Sequence, residues 1–353
     1  MNSSPSSPPS ERSRYARQVL FEQIGEEGQR RLGEARATLI GCGALGSVLA
    51  ETLVRAGLGF LRICDRDFIE RDNLQRQVLF DEDDVAASLP KAEAAARKLS
   101  RINSEVRIEA IVADATHANI ESLCDGAEAL LDGTDNFETR YLINDLAVKT
   151  KRPWVYGAVI GSSGLVMPVL PGETPCLRCV FDEPPPPEMN PTCDTAGVLA
   201  PAVNVVASLQ AMEAMKLLMG RRDAVIRALL HVDVWTGRYY DMKVGTAREH
   251  GACACCVGGQ FDYLSGRIAS STAVLCGRDA VQVRARPGTR IALAAIMEKL
   301  QRAGARDVKS NPFLLRATID DLELTVFADG RAIIKGTQDV ERARSVYARW
   351  IGA

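Results

Sequence analysis

A chain of 353 residues with a formal net charge of −2 is too long for one small core and too nearly neutral to advertise a nucleic-acid or anionic-membrane partner. Its longest apolar stretches stop well short of a membrane span, and the opening MNSSPSSPPSERS lacks the apolar core of a signal peptide. The expected location is therefore cytoplasmic. Ten cysteines there are metal ligands, reactive thiols or core fillers rather than disulfides, and three histidines (His117, His231 and His250) disfavour histidine-rich catalysis.

Residues 1–13 read as a flexible polar tail. From Ala37 to Trp154, β-rich runs alternate with helical periodicity. ATLIG is a strand ending in glycines, ALGSVLAETLVRAG a helix stopping at Gly57, FLRICD a strand and PKAEAAARKLSRI a helix. VRIEAIV and AEALLDGTD are further strands, RYLINDLAVKT a helix and PWVYGAVIG a strand. This alternation predicts an α/β fold, a Rossmann-like, mostly parallel sheet with helices on both faces. The proline-rich FDEPPPPEMNPTCDTAG (181–197) reads as a long mobile loop. VLAPAVNVVASLQAMEAMKLLMG follows as a long buried helix whose Met212, Met215 and Met219 recur at core spacing, with strands in LLHVDVWTGRYYDMKV behind it. Beyond CACCVGGQ the strands TAVLCGRDAVQVRAR, PFLLRATI, LELTVFA and RAIIKG and the helices IALAAIMEKLQRAG and VERARSVYARW predict a small separate α+β domain. The boundaries fall at 14–264 and 265–353.

Gly41, Gly43 and Gly46 of IGCGALG form G-x-G-x-x-G between a strand and a helix. Glycine lets the backbone turn tightly and approach a phosphate at the helix N-terminus, and Asp65 at the end of the next strand is placed for a ribose hydroxyl. These features specify a nucleotide without separating a dinucleotide from ATP, and alone they favour NAD.

Three further features do not belong to a hydride-transfer enzyme. RDNLQRQVLF puts Asn73, Gln75 and Arg76 close together after a strand and an acidic turn. Lys91 stands in a first helical turn, with Ser88 a plausible N-cap and Pro90 in the turn; a lysine there opposes the helix dipole unless it is solvated or serves an anion. In LLDGTDNFETR, Asp132 and Asp135 leave a strand at the edge where α/β sheets bind ligands. Each residue alone is an ordinary surface group. Ordered behind a glycine loop, Arg76 and Lys91 would neutralise triphosphate charge and Asp135 would hold Mg²⁺, which argues for nucleotidyl transfer.

CLRC supplies Cys176 and Cys179, and CACC supplies Cys253 and Cys256, the twin C-x-x-C spacing of a four-thiolate zinc site. Four thiolates leave no open position, so the Zn²⁺ would be structural, a clamp between distant segments; a redox pair is the weaker reading. Cys255 and His250 are poor substitutes as ligands. Cys193, in the long loop just ahead of a helix, is either a nucleophile or an incidental surface thiol. Cys42, Cys64 and Cys124 read as core, and Cys276 as a strand residue.

SRYARQVLFEQIGEEGQRRL, GCGALG, CDRDFIERDNLQRQ, LPKAEAA, LDGTDNFETRYLIND, CLRC, TCDTAGVLAPAV, SLQAMEAMKLL and the second cysteine pair occur in the order seen in the ThiF/MoeB family, bacterial relatives of ubiquitin-activating enzymes. The resemblance covers residues 14 to 260, and the C-terminal domain resembles an extension of longer members. It implies ATP-dependent adenylation of the C-terminal glycine of a ubiquitin-like sulfur carrier of the ThiS/MoaD type, for thiamine, molybdopterin or tRNA sulfur incorporation. It further implies that Gly41, Gly43, Ala44 and Gly46 cradle the nucleotide while Asp65 takes the ribose. In the same way Asn73, Leu74, Gln75 and Arg76 form a phosphate-gripping element with Lys91, and Asp135 with Asn136 beside it holds Mg²⁺. Arg17 matches an arginine inserted into the partner subunit's site, implying a homodimer, and Cys193 matches a loop cysteine that links covalently to the carrier in several members. No rhodanese-type persulfide loop surrounds Cys276, so the sulfur donor is expected to be a separate protein, a cysteine desulfurase or rhodanese. The rival readings are a non-catalytic scaffold subunit of a heterodimeric activator, which Arg17, Arg76, Lys91 and Asp135 argue against, and an NAD-dependent oxidoreductase, which leaves the cysteine clamp unexplained. Chemistry on tRNA is disfavoured by the absence of a basic stripe.

Overall fold

The computed structural model describes residues 14–184, 196–244, 253–268, 272–275, 279–285 and 289–352. After the short helix α1 (Ala16–Val19) and α2 (Gly25–Glu34), the chain enters an eight-stranded sheet. Its parallel half is β1 (Arg36–Ile40), β2 (Phe60–Asp65), β3 (Arg107–Val112), β4 (Ala129–Asp132) and β5 (Trp154–Ile160). Strands β6 (Ser163–Val169), β7 (Leu229–Asp233) and β8 (Arg238–Met242) continue it antiparallel, giving the order β3-β2-β1-β4-β5-β6-β7-β8.

The helices between these strands are α3 (Ala44–Ala56), α4 (Glu82–Ala86), α5 (Lys91–Ile102), α6 (Ile120–Leu123), α7 (Phe137–Thr150), α8 (Leu177–Val180) and α9 (Ala200–Leu218). They cover both faces of the sheet, and neighbouring strand residues show it. Leu39 belongs to one core with Leu49, Leu53, Ala95 and Val206, whereas Ile40 belongs to a second with Tyr141, Leu146 and Trp154. Strands buried on both sides lose the polar alternation of a half-exposed sheet, which is why FLRICD and ALLD read as near-continuous apolar runs. Met215 and Met219 are buried and Met212 packs against the same core. α3 ends as expected at Gly57, whose φ of 87° closes the helix.

One expected cap is corrected. Ser88 does not cap α5: its φ is 50°, and the N-cap is Pro90 with ψ 141°, which makes Lys91 the first helical residue. Proline lacks an amide hydrogen and disfavours helical geometry in the residue before it, so the helix begins after the proline.

The C-terminal unit has its own six-stranded antiparallel sheet, ordered β11-β12-β13-β14-β10-β9. It comprises β9 (Thr272–Leu275), β10 (Ala280–Val283), β11 (Arg306–Ser310), β12 (Leu314–Ile319), β13 (Leu322–Phe327) and β14 (Ala332–Lys335). Helices α10 (Leu293–Arg302) and α11 (Val340–Trp350) close a separate core around Leu300, Leu315, Leu324 and Trp350. β11 is a polar edge strand, RDVKS, whose apolar alternation is too short to announce it. No described helix is long and apolar enough to cross a membrane.

Candidate nucleotide site and cysteine clamp

β1 has β2 on one side and β4 on the other, so the crevice at their carboxyl ends lies between the turns after Ile40 and Asp132. Here the two turns touch, backbone against backbone. A Cβ on Gly46 would stand 2.1 Å from the Gly41 carbonyl oxygen, and one on Gly133 would stand 2.2 Å from the same atom. A Cβ on Gly41, whose φ is 90°, would meet the Gly133 carbonyl carbon at 2.7 Å. These three glycines therefore require one another. Gly43 differs. Its φ of −82° and ψ of −140° lie outside the common wells, yet an added Cβ would meet nothing nearer than 3.9 Å. Gly43 thus has room for a Cβ at ordinary contact distance, and α3 begins at Ala44 without a side-chain cap, leaving its first amides available to an anion.

Asp65 is buried at the end of β2. Its Oδ2 accepts from the Cys42 amide at 2.5 Å and its Oδ1 from the Asp67 amide at 2.7 Å. Burial pushes its carboxyl above the usual range, Lys91 opposes that, and Asp67 adds to it. Each oxygen retains a second lone pair for a ribose hydroxyl. Lys91, 3% exposed, has one hydrogen-bond partner among the described residues, Asp67 Oδ2 at a long 3.4 Å. A buried ammonium with three donors and one distant partner has capacity for a second anion.

In the segment after β2, Asn73 is 1% exposed and its amide closes the local turn. Oδ1 accepts from the Glu70 amide at 3.1 Å, and Nδ2 donates to Asp72 Oδ1 at 3.0 Å. Its side chain therefore shapes the segment, and Nδ2 keeps a second hydrogen beyond the one given to Asp72. Leu74 packs against the core, Gln75 is exposed, and Arg76 donates to the Asp72 carbonyl at 2.8 Å while making no ion pair among the described residues. The neighbouring Gln77 is buried with its Oε1 unsatisfied.

Across the crevice, Asp132 is fully buried and structural. Arg140 Nε lies 3.2 Å from its Oδ2, and the Thr134 amide and hydroxyl donate to its Oδ1 at 2.9 and 2.8 Å. Burial raises the Asp132 carboxyl and the Arg140 charge opposes that rise. Arg140 also donates to the Thr134 and Gly157 carbonyls, at 2.6 and 3.1 Å, while Gln210 donates to the Asp132 carbonyl at 2.9 Å. This lattice fixes the turn that presents Asp135. Asp135 is exposed and makes no hydrogen bond or ion pair among the described residues, though its charge is felt at Arg66 and Arg140. Asn136 caps α7 by accepting from the Thr139 amide at 3.4 Å.

The sulfurs of Cys176, Cys179, Cys253 and Cys256 lie within 4.8 Å of one another, with Cys179 and Cys256 only 3.3 Å apart. Four thiols so disposed fit a tetrahedral Zn²⁺ with no open position. Cys255 is not a member of the group; it is buried, donating to Asp145 Oδ1 and accepting from Asn144 Nδ2, both at 3.4 Å. Asn144 also accepts from the Leu177 amide at 2.8 Å, and Asp145 from the Tyr263 amide at 3.0 Å. Two adjacent side chains of α7 thus tie both cysteine knuckles to one helix.

Within one chain Arg17 is not brought to this site. It is exposed on α1, which is anchored where the Tyr15 ring meets Gly57 at the far end of α3, about 20 Å from the glycine turn at 1.5 Å per helical residue. Cys193, Cys276, His250 and most of the 181–197 loop lie outside the described residues. Cys42, Cys64 and Cys124 are buried as expected, and burial pushes the Cys124 thiol up to about 12. Sequence reasoning missed Gly133, Asp67, Arg140 and Gln210. The signal for Gln210 was an amide flanked by apolar residues on the buried face of an apolar helix, and for Gly133 a glycine ending a buried strand opposite another glycine turn.

The fold and site define a nucleotide-binding α/β domain with a thiolate clamp, extended by an α+β unit. A model of the ThiF family matches residues 15–255, and the chain belongs to that family. It is 46% identical over 340 residues to the sulfur carrier protein ThiS adenylyltransferase of Bacillus subtilis, covering 96% of this chain and 99% of that protein. It is 39% identical over 251 residues to a sulfur carrier protein adenylyltransferase of Thermus thermophilus, covering 70% of this chain and 91% of that one. Among solved structures, E. coli MccB with ATP shares the fold at a TM-score of 0.59, with 23% identity over 71% of this chain and 75% of that one.

Proposed function

We propose that this protein is an adenylyltransferase that uses ATP to activate the C-terminal glycine of a ubiquitin-like sulfur-carrier protein of the ThiS type. The observation that carries the reading is the glycine cradle at the β1–β4 switch point, with buried Lys91, whose one hydrogen-bond partner among the described residues is 3.4 Å away, and uncommitted Asp135 on either side. The full-length likeness to a ThiS adenylyltransferase supplies the acceptor class.

In this reading the α3 amides and Gly43 receive the phosphates and Asp65 the ribose. Lys91 and Arg76 neutralise charge that would otherwise repel the incoming carboxylate. A carboxylate oxygen of the carrier attacks the α-phosphorus, the bond to the β-phosphate breaks, and pyrophosphate leaves with both electrons of that bond, yielding an acyl-adenylate. No proton transfer is needed, which suits a site with no histidine among its described residues; positioning and charge neutralisation supply the catalysis. Asp135, an exposed carboxylate on the turn braced by the Asp132–Arg140 pair, is the oxygen ligand that would hold Mg²⁺, and the ion would supply charge neutralisation to the phosphates. Zn²⁺ in the clamp would be structural. Arg17 would act in the site of a second copy, and exposed Leu20 and Phe21 beside it fit a homodimer face. Sulfur would come from a separate donor protein, and the setting would be cytoplasmic.

ATP–pyrophosphate exchange with the purified chain and a ThiS-type carrier tests the proposal. Exchange should depend on the carrier, fall at least about a hundredfold in Asp135→Ala, and persist in Cys193→Ala. No exchange from a folded, zinc-loaded chain would sink it.

A further inference from the structure

The C-terminal unit lies beyond the matched family region, yet its contacts with the α/β domain converge on the loops that carry the nucleotide residues. Asp114 follows β3 by two residues, at the carboxyl edge of the parallel strands. It accepts from Gln282 Nε2 at 3.1 Å and Arg284 Nε at 2.6 Å, both from the C-terminal unit, and from Arg66 Nη1 at 3.1 Å. Arg66 is the residue after Asp65, and its carbonyl accepts from Arg331 of the C-terminal unit. Two residues further on, the Phe68 ring packs 6.4 Å from that of Phe327, with the Arg316 guanidinium 4.8 Å over its face. Asn311 donates to the Ser88 carbonyl at 2.9 Å, just ahead of Pro90 and Lys91. Arg284 reaches Glu138 at 3.8 Å, in the turn of α7 that follows Asp135.

These anchors bracket the site. They fix the residues flanking Asp65 and Asp67, the approach to Lys91, and the start of the helix beyond Asp135. The Asp114 junction is charged and largely buried: burial would raise its carboxyl, but Arg66, Arg284 and Arg331 together hold it below the usual range. A buried carboxylate held by two guanidiniums and an amide fixes geometry at high cost if any partner is lost.

We infer that the C-terminal unit is a built-in wall of the nucleotide site, in which Arg284, through Asp114 and Arg66, is a positioning residue for ATP. The inference rests on the adenylyltransferase reading for its nucleotide, and it assigns the unit to ATP rather than to the carrier.

The test uses the full chain and measures Mg·ATP affinity by calorimetry without carrier, then KM for ATP, KM for carrier and kcat in pyrophosphate exchange. Arg284→Gln should weaken Mg·ATP binding and raise KM for ATP on the order of tenfold, leaving the carrier KM within about twofold, with Arg284→Lys recovering part of the loss. Hydrogen exchange over residues 65–77 should quicken in the same variant. Asn311→Ala, a peripheral anchor less able to disturb folding, should move the ATP KM in the same direction by a smaller factor. Unchanged ATP affinity in a folded Arg284→Gln chain overturns the inference, as does a rise confined to the carrier KM. A wild-type chain that binds Mg·ATP but exchanges with no carrier refutes the acceptor assignment alone, because the wall is still judged by the binding arm. A wild-type chain that binds no Mg·ATP overturns both.

Discussion

Gly41, Gly46 and Gly133 bring two turns so close that neither tolerates a side chain. The first two belong to a motif read directly from spacing; the third belongs to a different strand, and nothing local marks it. Alanine at 133 would drive a methyl group to 2.2 Å from the Gly41 oxygen, well inside contact, and the clash is with backbone that cannot rotate away. Gly133→Ala should destabilise the chain by about 3 kcal/mol or more and abolish stabilisation by Mg·ATP, as read by urea unfolding with and without nucleotide. Alanine at Gly43, where there is room, should fold normally and lose only the nucleotide effect. Lys91 and Asp67 teach a related lesson: sequence placed the lysine at a helix start, but its burial and its single long partner make it a charge awaiting an anion rather than a solvated one.

At the scale of elements, the twin C-x-x-C spacing was legible because a knuckle is local: each pair sits on its own short turn. What the spacing did not reveal is the bolt between the knuckles. Asn144 and Asp145 on α7 accept amides from both sides, so the helix that follows Asp135 also carries the clamp. Metal analysis should find about one zinc per chain. Its removal by a chelator at neutral pH, or Cys176→Ser, should lower Tm by on the order of 10 °C, seen by calorimetry. Restoring zinc to the chelated protein should reverse the change; an unaltered Tm would rule out a structural metal.

At the scale of the molecule, Arg17 and Asp135 cannot meet within one chain, since α1 is anchored at the opposite end of α3 from the glycine turn. If each site takes Asp135 from one subunit and Arg17 from its partner, Arg17→Ala and Asp135→Ala chains should each be inactive. Mixed in equal amounts and re-equilibrated, they should regain about a quarter of wild-type exchange, because half the dimers are mixed and each restores one of two sites. Failure to regain any activity from demonstrably mixed dimers would place Arg17 outside the site. The C-terminal unit makes the same point from another side. It carries its own core and the strands and helices that its residue pattern predicts, but its polar anchors land on the nucleotide loops of the larger domain.

The sequence by itself determined the alternating α/β order, the glycine turn with its acidic partner, and the four thiolates, because each rests on short-range periodicity or on residues a few positions apart. Cys193 and Cys276 lie outside the described residues and remain sequence readings. Only the tertiary structure decided that Asp132 is a buried brace while Asp135 is exposed, that Asn73 is buried and braces its own turn, and that Gln210 and Arg140 hold the presenting loop. It alone set Asp114 among arginines from two domains. Those assignments turn on burial and, for Gln210 and Asp114, on partners 78 and 170 residues away, and neither burial nor long-range pairing leaves a period in the chain for local reasoning to find.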